Sequence, residues 1–549
     1  MNPLLRKLFE KPILLLLAVN IIAGLFIFRE YGYSWDEPLF YDYGNALGYA
    51  YSPREWFSGT FDVDNSYGIS GDDHKTRGPA YLFLSRGPVH LLESLGLDQA
   101  SAWHLINFLF FQLGVYFLYR LSRRWMSSDA ALAASALFAW QPLLWGHAFI
   151  NPKDPPFLTF FLASVCLGFE MVDQLAASRK PKFSVVILPA IALGITTSIR
   201  VLGPLAGLLV FIYFAFVILR NKNLRGLSSP QGTVSLWLNF LAYGFVAILG
   251  MFLTWPYLWE NPFTRFIDVF RLMSDNPTTL SVLFNGEIYR AGELPRRYLP
   301  FMLATTLTEP VWFLFILGVL TGYRKLVTEH WQLSTDPSSQ PTSKLVTATL
   351  TLFWFVILVA YALIRRPAMY DGFRHFQFII PPIFIFAGFA FEFLIEKVRQ
   401  FSPTFITRIL WLHAGLIFLI LAPGLIGIAQ LHPYEYTYYN SFIGGTSGAF
   451  RNYETDFWLT CYKDAVAELN DIQRPATLYV HREAYIAEYY ADANLNVRER
   501  RDALDEVQSG DYILVNTRTN EDRRILRDVE PTIQIQRGDA LFCIIKRVP

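Results

Sequence analysis

Charge is what this chain has least of. Only 17% of its 549 residues are Asp, Glu, Lys or Arg, against about a quarter in soluble domains. A wholly water-facing globule is therefore excluded. The net charge is +1, which offers no electrostatic reason to expect a nucleic-acid partner. Cysteine is scarce as well: Cys166, Cys461 and Cys543. Three thiols exclude a disulfide-dense scaffold. Cys166 reads as inert packing in an apolar run, and Cys461 and Cys543 are as readily free as paired. There is no internal repeat and no Gly-rich phosphate loop.

What the chain does have is apolar length: 53% of residues are hydrophobic and 17% aromatic. A membrane-crossing helix needs roughly 20 mostly apolar residues. The runs near 12–29, 102–121, 130–150, 157–174, 183–199, 202–219, 235–258, 299–321, 345–364, 375–395 and 409–430 meet that need, which predicts about eleven spans. The first of them follows Arg6, Lys7 and Lys11 without a small-residue cleavage site, so it reads as a retained anchor. The run 79–97 is interrupted by Arg86 and His90 and reads as a surface or re-entrant helix.

Short basic loops mark the cytoplasmic side of a membrane protein. They recur at every second connection: Arg120, Arg123 and Arg124; Arg179, Lys180 and Lys182; Arg220, Lys222 and Arg225; Arg324 and Lys325; Lys397, Arg399 and Arg408. This pattern places the N-terminus inside and the C-terminus outside; the plasma (inner) membrane is the expected location. The outer segments are then 30–101, 260–298 and everything after about 431. A short outer loop with Arg365, Arg366 and Arg374 breaks the charge rule, which suggests a local anionic partner. Residues 334–343 form a low-complexity inner linker.

Residues 1–430 thus read as a polytopic α-helical domain and residues 431–549 as a small α/β domain outside the membrane. Strand-length apolar runs at 477–480, 512–515 and 540–545 alternate with helix-prone stretches at 482–492 and 521–528.

The candidate chemistry lies in the outer segments. Asp36 and Glu37, in Tyr33-Ser34-Trp35-Asp36-Glu37-Pro38, are either the acidic first turn of a helix or a carboxylate base for an acceptor hydroxyl. Asp73, His74, Lys75 and Arg77 stand where the loop re-enters the membrane, as a solvated loop or as phosphate and acceptor contacts. Asp72, Asp73 and His74 form a divalent-metal site only if three adjacent side chains converge, so no metal or other cofactor is required. Lys153 and Asp154 pair with each other or line a cavity, since ionisable groups at this depth usually face one. Arg200, Arg365, Arg374 and His375 reach lipid headgroups or a phosphate, for which the guanidinium fork is suited. Carboxylates in one loop and arginines in two others suit a reaction whose leaving group is a phosphate.

Several of these segments, in this order, resemble the GT-C membrane glycosyltransferases of the family 39 type, which includes protein O-mannosyltransferases and aminoarabinose transferases. They are Asp36-Glu37, Asn151 to Pro156, Arg200, Arg374-His375 leading into Phe376 to Pro382, and His432 to Asn440 followed by Gly444-Gly445. The resemblance implies a polyprenyl-phosphate-linked sugar donor, transfer with inversion on the non-cytoplasmic face, Asp36 as base supported by Glu37, and Asp154, Arg200 and Arg374 in the cavity. Lys75 matches a phosphate-binding lysine of aminoarabinose transferases. The acceptor is a lipid, protein or glycan hydroxyl. The departure is His74-Lys75-Thr76-Arg77-Gly78-Pro79 where the family carries His-Pro-Pro. A secondary transporter or flippase of a lipid-linked or small anionic substrate is the alternative from another class.

Overall fold

Apolar runs become helices here, and proline decides where many of them begin. Pro142, Pro204, Pro262, Pro310 and Pro381 each occupy the first position of a helix, where a missing N–H breaks no bond. The computed structural model describes residues 11–177, 182–223, 230–275, 278–333, 341–401, 406–472 and 475–549. Arg6, Lys7, Arg179, Lys180, Arg225 and most of the 334–343 linker lie outside the described residues, as do the side chains of Lys222, Arg399 and Arg408.

Among the described residues, five helices are long and apolar enough to cross a membrane: Gln99–Ser122, Asp154–Ala177, Val234–Leu253, Pro310–Glu329 and Ser343–Arg365. Pro12–Ile27, Ser128–Ala139, Phe183–Ile199, Pro204–Arg220 and Ile417–Leu431 are apolar but shorter. Three expected spans need correction. The run 375–395 opens as a 3-10 turn, Arg374–Ile379, and its helix begins at Pro381. The run 130–150 divides into Ser128–Ala139 and Pro142–Ile150. The run 299–321 divides into Tyr298–Thr306 and a helix starting at Pro310. The two breaks face each other. Gln141 Nε2 donates to Thr308 Oγ1 at 3.0 Å, and its Oε1 accepts from the Thr308 N–H at 2.9 Å. Backbone groups freed in an apolar interior need partners of this kind. The 79–97 segment is a helix, Ala80–Ser94, with Pro88 inside it.

Close approach fixes how the helices lie. A Cβ at Gly318 would overlap the Phe386 carbonyl, so Pro310–Leu333 and Pro381–Phe401 touch backbone to backbone. One such contact shapes the site: a Cβ at Gly78 would overlap the Ser198 carbonyl. That places Arg77 beside the segment carrying Arg200.

Beyond the helices, strands β1 (Ser281–Phe284) and β2 (Glu287–Arg290) form a hairpin around Asn285-Gly286, both at positive φ, as the tightest hairpin turns require. The C-terminal region holds a mixed five-stranded sheet: β3 (Ala476–Val480), β4 (Leu495–Glu499), β5 (Tyr512–Asn516), β6 (Ile533–Arg537) and β7 (Ala540–Arg547). Their order is β4-β3-β5-β7-β6. The first three strands are parallel, joined through helix Ala484–Tyr490 between β3 and β4, and β7 runs antiparallel to β5 and β6. The helix-prone stretch 521–528 is only a short 3-10 turn at Glu521–Arg523. Cys461 and Cys543 are paired as a disulfide with Cα atoms 6.1 Å apart, within the span such a bridge covers. Cys166 is free and buried.

Candidate active site

Asp36 closes the turn before helix Glu37–Ala50, and Glu37 opens that helix. The two carboxylates have different surroundings. Glu37 is fully buried; it accepts from the Ser34 N–H at 2.6 Å and from the Tyr41 hydroxyl, and meets His104 Nε2 at 2.9 Å. Its role in holding the turn is visible in these bonds, and none of them leads to the other predicted site residues. Asp36 is half-buried and accepts from Arg374 Nη1 at 2.7 Å.

From Arg374 the network runs both ways. The same Nη1 lies 3.7 Å from Asp154 Oδ2. Asp154 begins helix Asp154–Ala177, is held by Asn151 Nδ2 at 2.9 Å, and pairs closely with Arg200. Arg374 Nη2 lies 3.2 Å from Asp371 Oδ2. Asp371 Oδ1 accepts from Arg518 Nη2 at 2.6 Å, and Arg518 Nε donates to Glu454 at 3.0 Å. The guanidinium of Arg374 stands 5.0 Å from the Tyr370 ring centroid and 5.1 Å from that of Trp458. His375 meets Tyr370 edge to face at 4.6 Å.

Phe40 gathers a second group on the same side. Lys153 Nζ and the Arg77 guanidinium lie 5.2 and 5.8 Å from its ring centroid, and His74 packs on its edge at 4.9 Å. Both cations are half-buried. Arg77 and Lys153 take part in none of the ion pairs among the described residues, although their charges act on Asp36, Asp154 and His74. Arg77, Lys153, Arg200 and Arg374 thus surround Asp36 and Asp154, and positive charge is in local excess.

The proton affinities follow from that excess. Burial alone would raise the pKa of Asp36, but Arg374, Arg77 and His74 outweigh it and hold the carboxyl below its usual range. Burial, then Arg77 and Arg200, makes Lys153 a weaker base than an ordinary lysine. Burial, Arg77 and Lys153 bring His74 down to about 4. Glu454, buried and beside Asp371, is pushed up to about 7 despite Arg518. Each shift is what burial and the charges on the facing side chains dictate.

Of the predicted residues, the structure brings together Asp36, His74, Arg77, Lys153, Asp154, Arg200, Arg374 and His375. Asp73 and Arg365 are exposed and stand apart. The Lys75 carbonyl accepts from the buried Trp255 indole at 3.1 Å, tying this loop to the segment after Leu253. His74 turns its Nδ1 to the Ser70 carbonyl while Asp73 faces solvent, so these two do not converge on one point. Among the described residues no group of three or more His, Cys, Asp or Glu is arranged to hold a metal ion. Asp371, Glu454, Trp458 and Arg518 were not foreseen. Asp371 had a local signal, three residues before Arg374. The other three have none: they join the site across 64 to 147 residues of chain.

No family model and no curated protein matches this chain. Several solved structures are similar to it. The crystal structure of ArnT from Cupriavidus metallidurans in the apo state is 13% identical with a TM-score of 0.48, and 98% of each chain is covered. The same protein bound to undecaprenyl phosphate is 12% identical with a TM-score of 0.45, over 98% of each chain. The archaeal oligosaccharyltransferase AglB from Archaeoglobus fulgidus, in complex with an inhibitory peptide and a dolichol-phosphate, is 10% identical with a TM-score of 0.48, over 93% of this chain and 70% of the other.

Proposed function

We propose that the protein is a membrane glycosyltransferase that moves a sugar from a polyprenyl-phosphate donor to an acceptor hydroxyl. The observation that carries this reading is the meeting, at one end of the helices, of a half-buried carboxylate and four cations drawn from four separate segments. Asp36 accepts the proton of the acceptor hydroxyl as its oxygen attacks the anomeric carbon. The bond from that carbon to the phosphate oxygen breaks, and the lipid phosphate leaves with the electron pair. One displacement of this kind inverts the anomeric centre.

Arg77, Lys153, Arg200 and Arg374 are the groups placed to receive the phosphate. Fixed cations aimed at a leaving group stabilise the charge it gains, and they do so most effectively where water is scarce. Two of them, Arg77 and Lys153, need surrender no carboxylate to do it. Arg374 contributes differently. Its pairing with Asp36 makes that carboxylate a poor base. A phosphate arriving at Arg374 competes with Asp36 for the guanidinium, and a less compensated carboxylate takes a proton more readily. Donor binding and activation of the base are thereby linked.

The sugar–lipid donor class and the inverting outcome rest on the GT-C resemblance of the motifs around Asp36, Asp154, Arg200 and Arg374. Placement of the site on the extracytoplasmic face rests on the basic-loop pattern. The Cys461–Cys543 pair agrees with it, since oxidising compartments sustain such bridges. Residues 431–549 are then an extracytoplasmic region that covers the site. The test uses purified protein with a labelled polyprenyl-phosphate sugar and a crude envelope extract as acceptor. Transfer of label with release of lipid phosphate supports the reading. Label crossing sealed vesicles still attached to its lipid refutes it in favour of transport.

A further inference from the structure

The helical part supplies the proposed chemistry, yet the guanidinium at its centre is held from outside it. Arg374 is 6% exposed, Asp371 0%, Arg518 4% and Glu454 3%, so their bonds are made in a low-dielectric setting where geometry matters most. Both oxygens of Asp371 have partners: Oδ1 accepts from Arg518 at 2.6 Å, and Oδ2 accepts from the Trp458 indole at 3.1 Å and lies 3.2 Å from Arg374 Nη2. Arg518 is itself fixed on all sides. Its Nε binds Glu454, its backbone N–H donates to Asn516 Oδ1 at 2.6 Å, and its guanidinium lies 4.5 Å from the ring centroid of Trp35, the neighbour of Asp36.

We propose that Arg518, on the loop that follows β5, is a positioning residue: through Asp371 it sets the plane and reach of the Arg374 guanidinium against Asp36. The C-terminal region thereby tunes a reaction whose reacting groups lie elsewhere. This rests on the glycosyltransferase reading given above.

Three further features of the C-terminal region act in the same sense. The Tyr485 hydroxyl donates to the Trp35 carbonyl at 2.7 Å, and the Trp35 N–H donates to the Trp458 carbonyl at 3.3 Å, so the same region grips the backbone on the Asp36 side. Asn516, two residues before Arg518, donates to the Asp456 carbonyl at 3.0 Å and lies opposite Cys543 in the sheet. Cys543 is joined to Cys461. The disulfide therefore ties the segment carrying Glu454 and Trp458 to the strand beside Arg518. A buried ion chain of this kind is a weak source of stability, because desolvation offsets most of its attraction. Orientation is the role it serves better, since a misplacement of about 1 Å can cost about a hundredfold in rate.

The test compares full-length wild type, Arg518→Met, Arg518→Lys, Asp371→Asn and the Arg518→Met/Asp371→Asn double variant, each assayed well below its own thermal midpoint so that the folded protein is measured. Two quantities are measured: steady-state transfer from a polyprenyl-phosphate sugar, and equilibrium binding of the sugar-free polyprenyl phosphate. A positioning role lowers kcat by about tenfold or more in Arg518→Met with a smaller change in KM, partly restored in Arg518→Lys, and the double variant is no worse than the poorer single one. It also weakens lipid-phosphate binding severalfold, because the dianionic product leans on Arg374 harder than the monoanionic donor. A kcat within twofold of wild type in Arg518→Met, or fully additive losses in the double variant, overturns the proposal while leaving the glycosyltransferase reading in place. If wild type transfers no sugar, the reading itself has failed, and unchanged lipid-phosphate binding in Arg518→Met then overturns the positioning role independently.

Discussion

Helix Asp154–Ala177 carries ion pairs at both ends, and the two ends are built differently. At its start, Asp154 belongs to a chain in which Arg374 is shared among three carboxylates and two neighbouring cations pair with no carboxylate among the described residues. Near its other end, roughly 24–29 Å away at about 1.5 Å per residue, Glu170 pairs with Arg120 and Asp173 with Arg124. Those pairs are closed: each acid has its base, and Arg124 Nη2 and Asp173 Oδ1 both turn to the Tyr213 hydroxyl. Closed pairs anchor helix ends to one another. A shared, positively biased chain leaves capacity for a negative ligand. The contrast separates a scaffold from a site without appeal to which residue types are present, since both ends use arginine and aspartate.

Substitutions at the two ends of the helix are expected to have very different effects. Asp36→Asn keeps the shape and removes the base, and turnover is expected to fall by at least about a hundredfold. Arg374→Ala and Arg200→Ala come next, with losses in both donor affinity and kcat; Arg374→Ala is the more severe because it also strips Asp36 and Asp371 of a shared partner. Equilibrium binding of polyprenyl phosphate alongside initial rates distinguishes the two effects. Glu37→Gln disturbs a buried network and is expected to lower stability by about 1–3 kcal/mol, read as a drop in thermal midpoint, while the folded fraction keeps most of its kcat.

His74 gives a smaller, pH-dependent signature. Its folded pKa of about 4 lies below the ordinary value of 6.5. The neutral ring's contribution to stability is therefore full above about pH 6.5 and is lost as pH falls through about 4. His74→Gln should flatten the loss of thermal stability in that window and change little at pH 7.5. Arg120→Gln closes the series. Its pair is partly exposed, with side chains 38% and 28% accessible, so the expected cost is at most about 1 kcal/mol, with no change in rate. A large loss of turnover in Arg120→Gln would erase the distinction between the two ends.

Much of this was legible in the residues. Apolar runs of spanning length became helices, and of the three arginines that break the charge rule, Arg374 stands at the centre of the ion chain while Arg365 and Arg366 are exposed. Other elements have local signals in the residues. Pro142 within 130–150 and Glu309-Pro310 within 299–321 mark the breaks in those runs. Asn285-Gly286 marks a hairpin, and Ile533-Gln534-Ile535-Gln536 alternates as an exposed-edge strand does. Other features had no local trace. Asp36 and Glu37 are adjacent and alike, and only the position of His104 and Tyr41 on one side and Arg374 on the other gives them different surroundings. Arg518 reaches Asp371 across 147 residues of chain, a pairing that tertiary folding alone creates.

In the proposed reaction Asp36 acts on a proton while the cations around it hold the donor's phosphate. The most direct measurement takes one preparation each of wild type and Asp36→Asn and follows, in parallel, binding of a polyprenyl-phosphate sugar and release of its lipid phosphate. The account requires equal or tighter donor binding in Asp36→Asn, because Arg374 is freed of a competitor, together with near-complete loss of release. Release at the wild-type rate, or loss of binding without loss of turnover per bound donor, would contradict it.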